Sequence, residues 1–341
     1  MSVATLSETR VFGRRLEMTM EAILPRVKQN AFQHSPIVSA FLGRTFDTQF
    51  GTGPMSGAGL RTQTGGESVR IQHNLGTNTT AQWLAGPWGQ TDTTPSDTVR
   101  HSRSNWTDGS ATVTISARER LENQGENRIV PIIEFETNNA VLSLADLVGD
   151  SLYAQASGTA VTGLQELADA NDSVQSLSGA TYANWNSRGL SSRGTAAGSV
   201  TFASGGFSLQ GVSDMRTSYN NATEGALMPS IGFTTYDILE FYEGSITPQE
   251  RYTSTAVGNL SFLNLAFKNA SVVGDPKCPS GEFYWVNPML TYVVALAGAN
   301  FSVGEAHRAE KQESTNVQIM FKAQLVTEDR RLVNKMTGIT A

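Results

Sequence analysis

Residues 125–156, GENRIVPIIEFETNNAVLSLADLVGDSLYAQA, decide how the rest of the chain is read. The segment meets no glycine between Gly125 and Gly149. Its apolar residues Ile133, Ala140, Leu144, Leu147, Val148 and Leu152 recur at intervals of three, four and seven, the mark of one buried helix face. Pro131 lacks an N–H and fits only the first turn or a kink, so the regular part is expected to start near Val130. Read as helix throughout, about 30 residues at 1.5 Å each give a rod of roughly 45 Å. Turn-rich, strand-like sequence lies on both sides, which makes this helix a spine between two β-rich regions.

The second conspicuous stretch is near the end. In STNVQIMFKAQLVTEDRR, residues 314–331, Val317, Ile319, Phe321, Ala323 and Leu325 alternate with Gln318, Met320, Lys322 and Gln324. That period of two predicts a strand of about a dozen residues, near 40 Å long and roughly twice the usual length. A strand and a helix of similar length are expected to pack side by side in an elongated subunit.

Before the spine, residues 1–50 read as a polar arm carrying Arg10, Arg14 and Arg15, then a helix from about Arg15 to Gln33 interrupted at Pro25. Glu8, Glu17 and Glu21 are interleaved with the arginines, so the expected role is docking on a neighbouring subunit and not gripping nucleic acid. FGTGPMSGAGLRTQTGG, residues 50–66, shows neither helix nor strand period and lacks any phosphate-loop pattern, so it reads as a joint. Val69, Ile71, His73 and Leu75 alternate on one face of a strand, and returning strands are expected at 98–106 and 111–117. The polar excursion between them carries Trp83 and Trp88. Loops of that length usually carry function, and two tryptophans without a core of their own call for a partner surface.

After the spine, short helices and strands alternate. A helix is expected near 208–219 with Leu209, Val212, Arg216 and Tyr219 on one side, a strand at 228–233, and a short helix capped by Thr234 or Thr235. Apolar strands follow at 260–267, 270–273, 282–286 and 290–296. The pattern is α+β.

Composition bounds the chemistry. The chain has 341 residues, enough for one large core or two domains, and a formal net charge of −6, which argues against binding nucleic acid through its overall field. One cysteine, Cys278, permits no disulfide within the chain. No signal-peptide core and no membrane-length apolar run is present, so no membrane partner is expected. His34, His73, His101 and His307 are scattered without zinc spacing, and no nucleophile elbow occurs. Asp146 and Asp150, one helical turn apart, read as exposed helix acids. No catalytic, cofactor or metal residues are assigned, and an enzyme is not expected.

Five blocks in order carry a resemblance: residues 113–153, 163–188 with its Gly179-x-Thr181-Tyr182-x-x-Trp185 ending, 227–242, 265–287 and 315–340. Together they resemble the major capsid proteins of tailed bacteriophages, which share the Hong Kong 97 fold. Residues 1–109 match by pattern only.

The resemblance implies an N-terminal arm (1–50), an E-loop hairpin with its base (51–117), a P-domain spine helix (118–157), an A-domain (158–305) and a P-domain C-terminal long strand (306–341). The polar segment 186–199, NSRGLSSRGTAAGS, is the candidate axial loop. The implied function is self-assembly of hexamers and pentamers into an icosahedral shell around double-stranded DNA, recognised without sequence specificity. It also implies a portal protein, a separate scaffold and decoration protein as partners, and a place in the virion after assembly in the host bacterial cytoplasm. Inter-subunit contacts are assigned to Trp83, Trp88, Arg118, Glu119, Trp185, Arg330 and Arg331. Some members cross-link their shells through an E-loop lysine. Residues 51–117 contain none, so a shell held by non-covalent contacts is expected, without a ladder of covalent multimers on denaturing gels. The start at Met1 close to the arm leads us to expect no long prodomain. The alternatives are an encapsulin-like nanocompartment shell, which shares the fold, a β-rich phage tail or carbohydrate-binding protein, motivated by Trp83, Trp88 and Trp106, and a hydrolase whose triad is not local in sequence.

Overall fold

The structure is a computed structural model that describes residues 3–33, 35–42, 59–76, 78–122, 132–155, 159–169, 173–187, 199–201, 209–245, 264–309 and 312–339. The axial-loop candidate lies almost wholly outside these residues.

The spine is helix α4, Ile132–Tyr153, 22 residues or about 33 Å. Its buried face is Thr137, Val141, Leu144, Ala145, Val148, Leu152 and Tyr153. Leu147, expected in that face, is exposed, as is Phe135. The expected stripe was displaced because the helix is covered from two directions. On one side lies α1, Val3–Phe32, and on the other the strand β4, Thr107–Ser116. The strand approaches so closely that a Cβ on Gly109 would meet Leu144 Cδ1 at 3.2 Å.

The apolar face of helix α1 from Leu16 onward packs within this subunit, while Arg14 and Arg15 before it are exposed. Leu16, Met20, Leu24, Val27 and Ala31 recur every three or four residues, and all are buried in this subunit's own core. Pro25 sits on the exposed face of α1, where the hydrogen bond it cannot donate faces solvent. Arg26 pairs with Glu134 of α4, and Glu17 accepts from the backbone N–H of Ala306 at 2.5 Å. The next helix, α2, Pro36–Phe41, is wholly buried. A carboxylate from far along the chain satisfies its first turn: Asp275 accepts from the Ile37 N–H at 2.8 Å and the Ser35 hydroxyl at 2.9 Å.

The long strand is β14, Ser314–Thr327, of 14 residues, and its alternating residues Val317, Ile319, Phe321, Ala323 and Leu325 are all buried as expected. One edge of β14 pairs antiparallel with β4 over ten positions, and the other with β12, Thr291–Val303, and the short β13, His307–Arg308. A parallel strand β1, Leu60–Gln63, completes this sheet against β12. The sequence had shown no strand there. The spine rests chiefly on β4 and touches β14 beyond it, so helix and long strand share one core.

A second sheet has six strands. In order they are β7, Ser199–Thr201; β15, Asn334–Thr337; β11, Phe283–Val286; β8, Ile231–Thr234; β10, Ala270–Gly274; and β9, Asn264–Phe267. Helices α6, Leu209–Asn221, and α7, Tyr236–Ser245, cover it. Tyr219, Phe267, Phe283 and Trp285 form an aromatic core there, Tyr219 meeting Trp285 edge-on at 5.2 Å. Arg216, expected on the buried side of α6, is exposed, and Met215 takes that place. Sheet membership crosses the expected domain limits: β12 joins the long strand, whereas β15 joins the second sheet.

Between the two sheets, Asp275 acts as a junction. Beyond Ser35 and Ile37 it accepts from the Lys277 N–H at 2.9 Å, and the Lys277 ammonium reaches Asp146 and Asp150 of the spine at 3.2 and 2.7 Å. The buried Tyr153 hydroxyl is held well above its usual pKa by burial and, secondarily, by the charge of Asp275.

Candidate assembly surfaces

Strands β2, Ser68–Asn74, and β3, Val99–Asn105, form an antiparallel ribbon. Its inner face packs on the long sheet: Val69 is buried with Tyr292, Val294 and Val326. The ribbon is also tied sideways. The Arg103 N–H donates to the Gln175 carbonyl at 2.8 Å, and the Ser176 hydroxyl donates to the Arg103 carbonyl at 3.1 Å. His73 is the central tie. Its Nδ1 lies 3.1 Å from the Glu328 carbonyl and therefore carries the proton, while Nε2 accepts from the Ser102 hydroxyl at 2.7 Å. Burial holds this imidazole below its usual pKa, against the opposing Glu328 carbonyl and the charges of Asp329 and Glu328.

Beyond the ribbon the chain changes character. From 76 to 98 nearly every described residue is exposed, and no helix or strand forms among them. Trp83 is fully exposed and Trp88 is 93% exposed. The loop is nonetheless shaped by its own short hydrogen bonds. Asn78 Oδ1 accepts from the Thr80 N–H and hydroxyl at 3.0 and 2.7 Å, and Asp92 Oδ1 does the same for Thr94 at 2.9 and 2.6 Å. Gln82 Nε2 donates to the Gln90 carbonyl at 3.0 Å, closing the segment that carries the two indoles. A patch of this kind without a core of its own marks an interaction surface.

The remaining expected contact residues divide. Arg118 and Glu119 are exposed on α3, Ala117–Glu122, at the foot of β4. Ser116 and Glu119 form a reciprocal helix-start pair: the Glu119 carboxylate accepts from the Ser116 N–H at 3.0 Å, and the Glu119 N–H donates to the Ser116 hydroxyl at 3.1 Å. The bonds that the carboxylate accepts from the Ser116 N–H and, at 2.9 Å, from the Ser116 hydroxyl hold the Glu119 carboxyl below its usual range. Arg118 donates to Glu122 at 2.6 Å.

Trp185 and Arg330 are corrections. Trp185 is 1% exposed and meets the His73 ring edge-on at 4.6 Å, so it clamps the ribbon from within the same subunit. Arg330 is 0% exposed and donates to the carbonyls of Leu167 at 2.6 Å, Glu166 at 3.0 Å and Asp169, capping the end of α5, Leu164–Ala168. Neither presents surface to a neighbour. Arg331, assigned to inter-subunit contacts, is half-buried, held by Asp329 at 2.7 Å and near Glu224 at 3.7 Å. The structural roles of Asp275 and His73 were missed because both depend on partners more than 200 residues away.

Among the described residues no group of three or more His, Cys, Asp or Glu could hold a metal ion, and no helix is long and apolar enough to cross a membrane. Cys278 is buried, and burial, together with Asp275 and Glu282, pushes its thiol far above the usual pKa.

Neither a protein-family model nor a curated protein matches the sequence. Solved structures do. The chain is similar to a cyanophage A-1(L) capsid subunit at TM-score 0.58 and 14% identity, over 83% of this chain and 90% of that one. It is similar to a subunit of the empty GTA particle capsid at TM-score 0.54 and 10% identity, over 83% and 88%. A chain from Mycobacterium phage Bobi aligns at TM-score 0.53 and 8% identity, over 87% and 95%. The α+β fold built from the spine, the long strand, the ribbon and the six-stranded sheet is therefore the Hong Kong 97 capsid fold.

Proposed function

We infer that this chain is the major capsid protein of a tailed phage, a tile that self-assembles into the icosahedral head shell. The observation that carries this reading is the pairing of that fold with the exposed loop at 76–98, whose two tryptophans are left for another molecule to cover. In the shell, Trp83 and Trp88 lie at inter-subunit contacts, with Arg118, Glu119 and Arg331 as lesser contacts at surface positions. The partners are further copies of the chain in hexamers and pentamers, a portal protein at one vertex, a separate scaffold and decoration protein, and packaged double-stranded DNA held without sequence reading. The place of function is the virion, after assembly in the host bacterial cytoplasm. An acidic chain of net charge −6 suits a container that confines DNA without adhering to it.

Electron microscopy of the purified recombinant chain tests the reading. Shells, tubes or capsomers of hexamer and pentamer size are expected. A monomer under every condition of salt, crowding and concentration contradicts it. Particles recovered from infected cells separate the phage reading from a nanocompartment: nuclease-protected DNA favours the former, and enclosed protein cargo the latter.

A further inference from the structure

The loop offers a plug, and the same subunit carries a socket. A cleft of about 300 Å³ opens beside the ribbon where β2 enters the loop. Leu75, Leu227 and Leu290 supply apolar surface in a lining that is otherwise largely polar, with Asn184, Asp329 and Arg331 among its polar groups. Its volume sits at the lower end of sites that enclose a small molecule, the size class of one aromatic side chain and not of an extended polymer. Leu227 stands at its lip and is 44% exposed. Arg331 is already held by Asp329 and Glu224, so an entering group meets amide and carboxylate acceptors but no unneutralised cation. An indole matches that lining, with an apolar body for the leucines and one N–H for an acceptor.

The tip fits the description. From Asn78 to Gln90 the loop has no charged residue, and it presents two indoles. Both are exposed, so neither enters the cleft of its own subunit. Plug and socket are different patches of one chain. A contact between different patches repeats head to tail and closes into a ring when the rotation per subunit allows.

We propose that the cleft at Leu75, Leu227 and Leu290 receives a loop-tip tryptophan from a neighbouring copy of this chain. The proposal rests on the shell reading and names its receptor. Ala85→Cys and Leu227→Cys, combined in the full chain, test it by oxidation of assembled particles with copper phenanthroline. Both positions are exposed, and Cys278 is too buried and too weakly acidic to join the reaction. Covalent multimers rising towards hexamer on non-reducing denaturing gels are expected from the double variant, and at least tenfold less from either single variant. In parallel, Leu227→Arg is expected to keep the melting temperature while lowering particle yield at least tenfold. Double-variant particles that run as monomers after oxidation, or Leu227→Arg particles formed at wild-type yield, overturn the socket and leave the shell reading standing. Absence of particles from the wild-type chain overturns both.

Discussion

The long sheet and the loop at 76–98 are opposite solutions to the same problem. In β14 every second side chain is buried, both edges are paired, and its end is tied through Glu328 to the ribbon. At the far end of the ribbon, the loop is shaped by local turns and leaves its largest side chains bare. The first region is finished within one subunit. The second has a fixed shape and an unfinished surface. Hydrophobic burial fixes the body before any neighbour arrives, and the area that can drive association is concentrated where the body contributes nothing. A tile needs that separation, since one surface that served both folding and assembly would tie the two together.

Substitutions that separate the regions can break this contrast, and we order them by expected effect on the stability of the unassembled subunit. Phe321→Ala in β14 removes a ring that lies tilted against Phe301 at 4.5 Å and packs in the main core. It is expected to cost about 3–5 kcal/mol, read by urea unfolding, and to leave little folded chain to assemble. Asp275→Ala takes the acceptor from α2 and from the turn that reaches the spine. A loss of about 2 kcal/mol is expected by the same measurement, because the Ile37 N–H is then buried without its partner.

His73 gives a smaller, pH-dependent effect. Its folded pKa is lowered chiefly by burial, so the unfolded chain takes up a proton first as the pH falls below about 6.5. Stability should fall through that range and level off once the folded imidazole is also protonated. Melting curves at successive pH values should show this slope in wild type and a shallower one in His73→Asn; equal slopes contradict the assignment. The smallest effect on stability belongs to the loop. Trp83→Ala with Trp88→Ala should change unfolding free energy by no more than about 0.5 kcal/mol, the range for exposed sites, while sedimentation shows particle formation abolished. A large loss of stability in that variant breaks the contrast from the other side.

The two regions were not equally legible in the sequence. The strand at 314–327 could be read residue by residue, because its period of two meets a sheet with one consistently buried face. The spine was legible as a helix, but its face was misplaced. Leu147 and Val141 are both apolar, and only the positions of α1 and β4 decide which is covered. Strand β1 at Leu60–Gln63 left no trace because one buried leucine and a parallel partner more than 200 residues on set no period. Arg330 and Trp185 were assigned to contacts with neighbours since residue type alone does not separate an arginine that caps a distant helix from one that meets another subunit. Trp83 and Trp88 stood out for the opposite reason: their sequence neighbourhood offers nothing to pack against, and the fold adds nothing.

The central claim is that the bare tip of the loop becomes covered when subunits associate. Acrylamide quenching of tryptophan fluorescence, measured on the unassembled subunit and on assembled particles, tests it directly. Trp185 and Trp285 are buried in the subunit and Trp106 is partly buried at the end of the ribbon, so the strongly quenched signal comes mainly from Trp83 and Trp88. The account predicts that this signal becomes protected in particles and that the protection disappears in the background where Trp83→Phe and Trp88→Phe are combined. Particles in which Trp83 and Trp88 remain as accessible to acrylamide as in the free subunit would contradict it.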